Sequence, residues 1–385
     1  MKSNLNSKSG TQNLLVLSVS KKHVGGMYHA LQSLERSLVN SGKKCLLVEN
    51  TSYFGYLKIF FSRTRKIIIW SFSHEASLLP LITSQIIGIR NIYFNHGVWH
   101  LESQVSTWFT LGPLSLLKRK FHYFTLQLKQ VMVLLFVSEV IHPSKYASQL
   151  FWSQKLNRIF INRRKSVVLP LTVDSSTFKH RSAAYRKKVR CNYGITSKEK
   201  VILMIGRADN RKNVQEGLLL LKKLLPKHKN IQFLYVFATS EYSDYSYISF
   251  LSNVVGDLQV GRNVKFLTGL SADEIPEAYQ IADICLVLPL HSEMFGLTTL
   301  ESLYSGTPVF GYWSSATPEI IQEEKGMFLV PVRHIDDLAR RVENYLYSRS
   351  VGEQERTRKK LAQKARGTFN DSELVKKLVS YYPLL

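Results

Sequence analysis

Short runs of apolar, often β-branched residues alternate along this chain with segments of helical periodicity. In the first part of the chain such runs fall at residues 13–20, 44–48, 66–70, 91–94, 133–137 and 167–169. Continuous apolar runs are typical of strands that are buried on both faces of a parallel sheet. The intervening helical segments predict right-handed strand–helix–strand units, and therefore an α/β fold.

The same alternation restarts after Pro170. Further strands are predicted at residues 201–205, 231–237, 264–267, 284–288 and 308–310, and helices near 213–225, 241–256, 272–281, 296–305, 317–323, 353–367 and 371–382. Two such sets predict two doubly wound, Rossmann-like domains with parallel sheets, which face a cleft where ligands bind. We expect a disordered tail at residues 1–13, a first domain at 14–172, a second domain at 173–368, and a terminal helix at 369–385 that packs back on the first domain. Residues 172–200, which are basic and poor in apolar side chains, are the expected linker.

Basic residues are concentrated in the first domain. The formal net charge of the chain is +24, and residues 1–172 carry 22 lysines and arginines against five acidic residues, a net charge of +17. An excess of this size indicates an anionic partner. Nucleic acid, an anionic membrane surface and an anionic lipid-linked substrate all remain candidates at this point.

Several classes of protein are disfavoured. The three cysteines, Cys45, Cys191 and Cys285, are odd in number and far apart, which argues against a disulfide framework and against a zinc site. No apolar run approaches the roughly 18–20 residues that a membrane-spanning helix needs. The pattern contains no HExxH, no Walker A and no DxD sequence, and no metal site is predicted.

The most informative segment is SEMFGLTTLESLYSG at residues 292–306, which follows a predicted strand. A helix that begins near Gly296 would present an anion-binding terminus suited to phosphate, formed by the amides of Phe295, Gly296, Leu297 and Thr298. Glu301 lies one to two turns further on, where a carboxylate could accept hydrogen bonds from a ribose diol. The alternative is that Glu293 only complements the helix dipole and that Glu301 faces solvent.

A second segment, GRADNRKN at residues 206–213, also follows a predicted strand. Arg207 and Lys212 could bind phosphate, arginine as a bidentate donor and lysine as a point charge. The alternative is an ordinary solvated basic loop.

Two loops of the first domain carry weaker patterns. Gly25 and Gly26 follow the first strand and would allow close backbone approach to phosphate or sugar, although the full GxGxxG spacing is absent. His96 follows the strand at 91–94 and could bond a sugar hydroxyl or a group in transfer. A single histidine at a strand end is more often structural.

Residues 114–131 predict an amphipathic helix. Its apolar residues fall within a stripe of roughly 100°, while Lys118, Arg119 and Lys129 lie outside that stripe. A helix of this kind could lie in a membrane interface with its basic residues at anionic headgroups, or could contact an anionic acceptor. The alternative is that it packs on the sheet of the first domain.

Taken together, these segments resemble the retaining glycosyltransferases of the GT-B fold, family 4. Glu293 and Glu301 match that family's pattern of two glutamates separated by seven residues. Other parts of the pattern occur in the expected order, namely Gly25-Gly26, NHG at 95–97, Gly206-Arg207 with Lys212, GTPV at 306–309, and Pro318-Glu319.

The resemblance implies a role for each residue of the second domain. Arg207 and Lys212 would hold the diphosphate of the donor, together with amides at 296–298. Glu301 would bind the ribose, and Glu293 the transferred sugar. The donor would be a UDP- or GDP-linked sugar, with no cofactor and no metal, because the two cations stabilise the departing diphosphate.

The resemblance also implies that the first domain forms the acceptor side of the cleft. Gly25 and Gly26 would lie under the donor phosphates, and His96 near the anomeric carbon. The function predicted is transfer of a sugar to a lipid-linked or polysaccharide acceptor, by a cytoplasmic protein that is peripheral on the inner face of the cytoplasmic membrane. A sugar-nucleotide epimerase of the same fold is an alternative. A further alternative is a nucleic-acid-binding protein. However, the sequence shows no known nucleic-acid-binding module, and the excess of basic residues is not in the second domain. No nucleic acid partner is therefore expected.

The sequence departs from the family pattern at two places. Met294 follows the first glutamate, where a small residue or proline is usual. Ser315-Ala316-Thr317 replaces the glycine pair commonly found before Pro318-Glu319. The second loop should adjoin the base or the sugar, so the identity of the donor stays open.

Overall fold

The computed structural model describes residues 14–19, 26–49, 53–61, 66–70, 78–95, 125, 128, 131–160, 165–238, 245–271, 273–290, 293–322 and 328–382. Within these residues the chain forms two six-stranded parallel sheets flanked by helices. The predicted α/β fold with two doubly wound sheets is confirmed. The boundaries of the four predicted segments remain a prediction.

The first sheet contains β1 to β6 in the order β2-β1-β3-β4-β5-β6. These strands are Leu14–Val19, Cys45–Glu49, Lys66–Trp70, Arg90–Phe94, Glu139–His142 and Ser166–Val168. Every residue of Lys66–Trp70 is buried, as expected for a central strand covered on both faces.

The second sheet contains β7 to β12 in the order β12-β11-β10-β7-β8-β9. These strands are Lys200–Arg207, Ile231–Ala238, Val264–Thr268, Ile284–Val287, Val309–Tyr312 and Leu329–Val330. The strand order reverses between β7 and β10. In open α/β sheets, ligands bind outside the carboxyl ends of the strands at such a reversal.

Helices connect the strands because parallel neighbours need long crossovers. Those of the first half are Gly26–Asn40, Tyr53–Phe60, Leu78–Ile86, Lys145–Ser153 and Lys155–Phe160. Those of the second half are Ala183–Asn192, Val214–Leu224, Tyr245–Asp257, Glu274–Ile281, Leu297–Tyr304, Thr317–Ile321, Ile335–Tyr347, Val351–Thr368 and Asp371–Tyr381. Within the part of the chain described, none of the helices is both long and apolar enough to cross a membrane.

One predicted strand is wrong. Residues 131–136 are helical, and β5 lies just beyond them at Glu139–His142. The run VMVLLFV is apolar throughout, and such a run does not by itself distinguish a strand from a buried helix. In the structure Val133 and Leu134 are buried while Leu135 is half exposed, so only part of the surface of this turn is covered.

The predicted linker is also more ordered than its composition suggests, because it contains the helix Ala183–Asn192. Ser182 caps this helix by accepting from the Tyr185 amide, and Val189 is its one buried residue. Arg186 and Arg190 donate to the carbonyls of Gln280 and Ile281 at 2.9 and 2.7 Å. Arginine contacts to a helix end therefore hold a segment that has little apolar surface of its own.

The last helix, Asp371–Tyr381, packs against the first helix, Gly26–Asn40. The Thr172 hydroxyl donates to Asp371 at 2.7 Å, and the Arg90 guanidinium lies 5.0 Å from the ring centroid of Tyr382. The end of the described chain is thus held by elements that belong to the first sheet.

Gly217 gives a test of the packing of Val214–Leu224 on the second sheet. A Cβ at Gly217 would lie 2.6 Å from the Met204 sulfur and 2.9 Å from the Phe233 ring, whereas one at Gly256 would meet nothing within 4 Å. Alanine favours a helix over glycine by about 1 kcal/mol, but overpacking a core costs about 1–3 kcal/mol. In urea unfolding, Gly217→Ala should lower the free energy of unfolding and Gly256→Ala should raise it. Equal stabilisation by both would contradict this packing.

Candidate functional site

Two loops meet at the reversal of strand order in the second sheet. One follows β7 and contains Lys212, and the other follows β10 and contains Glu293. The Lys212 ammonium lies 2.9 Å from a carboxylate oxygen of Glu293. A crevice that is open to solvent lies beside this pair and is lined by both residues together with Thr298 and Tyr235. Both charged residues are predicted from the sequence as site residues, and the fold brings them into contact.

The loop after β7 is shaped by Gly206 and Asn213. A Cβ at Gly206 would lie 2.9 Å from Cε of Lys212, so the absence of a side chain there lets the lysine stem lie across the strand end. Asn213 has a φ of 55°, in the left-handed region that asparagine tolerates better than most residues. The helix then begins at Val214 rather than at Asn213.

Arg207 is the second predicted cation of this loop, and its side chain is half exposed. Its Nε lies 3.9 Å from Asp209, whose carboxylate is also held by Arg211 at 2.7 Å. Burial alone would raise the pKa of Asp209, but its hydrogen bonds and charge contacts with the arginines outweigh burial and hold that pKa below its usual range. Asp209 therefore anchors the loop as an ionised carboxylate between two guanidinium groups.

Four residues were predicted to form an anion-binding helix terminus beside Glu293, and the structure places them in different settings. Gly296 has a φ of 91°, a conformation that favours glycine, and the helix begins at Leu297. Thr298 lines the crevice. The Phe295 side chain, by contrast, is buried in the core and meets the Phe369 ring edge-on at 6.0 Å.

Glu301 lies one turn into this helix, and its carboxylate points inward. The Tyr279 hydroxyl donates to it at 2.8 Å. Burial raises the pKa of Glu301, while the Tyr279 hydrogen bond and the Lys212 charge act in the opposite direction. The alternative that Glu301 simply faces solvent is not what the structure shows. Tyr279, fully buried, was missed by the sequence analysis because no spacing connects it to the glutamate pair.

A set of contacts between the two halves of the chain is also not predicted from the sequence. Ser144 donates to the carbonyl of Met294 at 2.5 Å. Glu319 accepts from the backbone amides of Lys145 and Tyr146 at 2.8 and 2.6 Å. Pro318-Glu319 was noted only as part of a family pattern, and no local signal predicts contacts across such a separation in sequence.

Other predicted residues lie outside the residues that the structure describes. They are Gly25, His96, Lys118, Arg119 and Lys129. Gly26 is described and begins the first helix. Among the described residues, no group of three or more histidine, cysteine, aspartate or glutamate side chains is arranged to hold a metal ion.

Comparisons with known proteins point to one family. Residues 186–368 match the family described as "Glycosyl transferases group 1". An uncharacterized glycosyltransferase of Methanocaldococcus jannaschii is 29% identical over 41% of this chain and 38% of its own length. The alpha-monoglucosyldiacylglycerol synthase of Streptococcus pneumoniae is 26% identical over 49% of this chain and 40% of its own length. The chain thus spans about two fifths of each of these relatives.

The whole architecture is similar to solved structures. HepE of Anabaena, in complex with UDP and glucose, superposes with a TM-score of 0.73 at 15% identity, covering 97% of this chain and all of HepE. At this identity the likeness concerns the fold, and it confirms the predicted GT-B architecture.

Asp209 gives a pH-dependent test of the loop that carries Arg207 and Lys212. Because the folded-state pKa of Asp209 is depressed, its stabilising contribution should be present above the ordinary aspartate pKa of about 4 and lost as pH falls below it. Asp209→Asn should therefore lower the thermal midpoint at pH 7, with the difference shrinking toward pH 3. Asp336→Asn, which changes an exposed ion pair with Lys223, is the control and should have little effect. A pH-independent Asp209→Asn difference would rule out this role for the carboxylate.

Proposed function

We propose that this protein, whose residues 186–368 match the family described as "Glycosyl transferases group 1", is a retaining glycosyltransferase that uses a nucleotide-sugar donor. One observation carries the proposal. The Lys212–Glu293 pair, at 2.9 Å, lies beside an open crevice where ligands bind in open α/β sheets. A cation and a carboxylate side by side suit a ligand that joins a diphosphate to a sugar.

In this proposal the donor diphosphate lies between the loop after β7 and the start of the helix Leu297–Tyr304. Lys212 and Arg207 supply positive charge, and the amides at the helix start supply fixed donors. Charge develops on the diphosphate as the bond to the sugar breaks, so these groups stabilise the transition state. A UDP- and a GDP-linked donor both fit this arrangement, and HepE binds UDP.

The two glutamates take different parts of the donor. Glu301 has one oxygen bonded to Tyr279, which leaves the other available to the ribose hydroxyls. Glu293 is closer to the sugar, and its contact with Lys212 holds it in place before the donor arrives. His96 is assigned to the acceptor side, and Gly25 and Gly26 to the donor phosphates. These assignments rest on the family resemblance alone.

The acceptor is proposed to be lipid-linked or a polysaccharide, met on the inner face of the cytoplasmic membrane. The net charge of +17 on residues 1–172 favours an anionic surface.

The helices Tyr53–Phe60 and Leu78–Ile86 are joined by a 3.0 Å hydrogen bond between Tyr53 and Thr83. On and just after them, four large apolar side chains are more than half exposed, namely Phe54, Phe61, Leu79 and Ile86. Within each helix the two lie seven residues apart, so they fall on one face.

The first test concerns the donor site. Lys212→Ala should lower kcat/KM for sugar transfer by about 10²–10³-fold, the effect of losing one preorganised charge donor. Lys223→Ala, on the next helix and paired with exposed Asp336, is the matched control and should transfer normally. EDTA should leave the wild-type rate unchanged. Loss of wild-type transfer in EDTA would contradict the charge-only site, and donor conversion without any acceptor would favour an epimerase.

The second test concerns the membrane. The protein should pellet with anionic liposomes at low salt and be released at high salt, because the attraction is screened over about 8 Å at physiological salt. The double variant Phe54→Ser, Ile86→Ser should pellet less than the wild type. Val351→Ser, which changes an equally exposed side chain in the second half, should pellet as the wild type does. Equal binding to neutral and anionic vesicles, or to neither, would exclude the proposed surface.

A further inference from the structure

Ser315 has a backbone conformation that disfavours its side chain. Its φ is 56°, in the left-handed region, at the place where the family pattern usually has glycine. A serine there carries an energetic cost that glycine would not have. Strained residues of this kind persist where the surrounding structure fixes them, and they concentrate at functional sites. The contacts of the Ser315 hydroxyl indicate which interaction this strained conformation maintains.

The hydroxyl of Ser315 lies where the two halves of the molecule meet. It accepts from the backbone amide of Glu293 at 3.1 Å. The Tyr146 hydroxyl of the first half lies beside it, close enough for the Ser315 hydroxyl to offset in part the rise that burial causes in the pKa of Tyr146. The next residue, Ala316, donates its amide to the carbonyl of Glu293 at 3.3 Å. The main chain of Glu293 is therefore held on both its polar groups by residues 315 and 316.

Tyr146 lies in the first turn of the helix Lys145–Ser153, which belongs to the first half of the chain. The N-cap of this helix, Ser144, donates its hydroxyl to the Met294 carbonyl, and two backbone amides of the first turn donate to the Glu319 carboxylate. The Met294 side chain is buried against Ala147, with Leu150 beside it. The start of this helix thus contacts the residue after Glu293 and, through Glu319, the short helix that follows the loop supporting Glu293. Met294 and Ser315, the two departures from the family pattern, are both part of this contact.

We propose that Ser315 is a positioning residue that holds Glu293 in its working place only while the Lys145–Ser153 helix lies against the second half of the chain. This inference rests on the proposed function and deepens it. When the two halves meet, the Tyr146 hydroxyl orients that of Ser315, which then fixes the Glu293 amide. When they separate, the amide loses its oriented acceptor. Seating of the sugar-binding carboxylate is in this way coupled to closure of the cleft.

The test separates turnover from stability. Ser315→Gly removes the hydroxyl but adopts the same φ without strain, so kcat should fall about tenfold or more at saturating donor while the KM of the donor changes little. Gln259→Gly relieves the same kind of left-handed strain, at φ 54° on an exposed turn, and gives the reference shift in thermal midpoint with normal kcat. An unchanged kcat in Ser315→Gly, at a thermal midpoint shifted as in the control, would overturn the proposal.

A second variant tests the connection from the other side. Tyr146→Phe removes a hydroxyl that reaches the Glu293 amide through Ser315, so it should also lower kcat. The double variant with Ser315→Gly should be no worse than the poorer single variant, because both break one chain of contacts. Additive losses would mean two independent effects and would refute the coupling.

Hydrogen exchange distinguishes a failure of this inference from a failure of the proposed function. Tyr146→Phe should speed exchange at the Glu293 amide in the protein without any substrate, and Gln259→Gly should not. If the wild type transfers no sugar from any donor but the exchange result holds, the function is wrong and the contact chain stands. If the wild type transfers sugar and the Glu293 amide exchanges at the wild-type rate in Tyr146→Phe, the inference is wrong and the function stands.

Discussion

The parallel pairing of β7 with β10 is the constraint on which the candidate site depends. Ile202 pairs with Ile284, and Leu203 with Cys285, so both strands end at the same edge of the sheet. Lys212 and Glu293 are 81 residues apart in sequence, and only this register brings their loops together. The pairing is supported from the next strand as well. A Cβ at Gly311 would lie 1.9 Å from the carbonyl oxygen of Val287, so β11 can lie against β10 only with glycine there.

The opposite end of β10 is held by a set of buried charged groups in addition to its apolar packing. Asp283, just before the strand, accepts from the Val201 amide at 2.8 Å and from Arg190 at 3.1 Å. Arg358 is buried nearby and donates to the Ala282 carbonyl, and burial, with the neighbouring Arg186, lowers the pKa of Arg358 to about 9. Removing one member of such a set leaves a buried charge uncompensated, so these groups act as a unit. They set the position from which β10 runs toward the site.

The parts of this molecule that follow from local pattern could be predicted from the sequence. The two sheets followed from apolar runs, and Lys212 and Glu293 from their positions after predicted strands. The strand predicted at 133–137 was wrong, because an apolar segment of that length is compatible with both a helix and a strand. Tyr279, Ser144 and Glu319 could not be found, since each acts through a partner that only the folded chain brings near. Ser315 was visible as a departure from a family pattern, but its positive φ and its two partners required the structure.

The chain passes between the two sheets twice, once after β6 and again before the helix Asp371–Tyr381, and Thr172 and Asp371 bond these two passages to each other at 2.7 Å. Thr172 also lies 3.4 Å from the Ser33 hydroxyl on the first helix. Two covalent tethers that are joined side by side act as a pivot. Such a joint favours rotation of the two sheets about this point over translation of one sheet along the other.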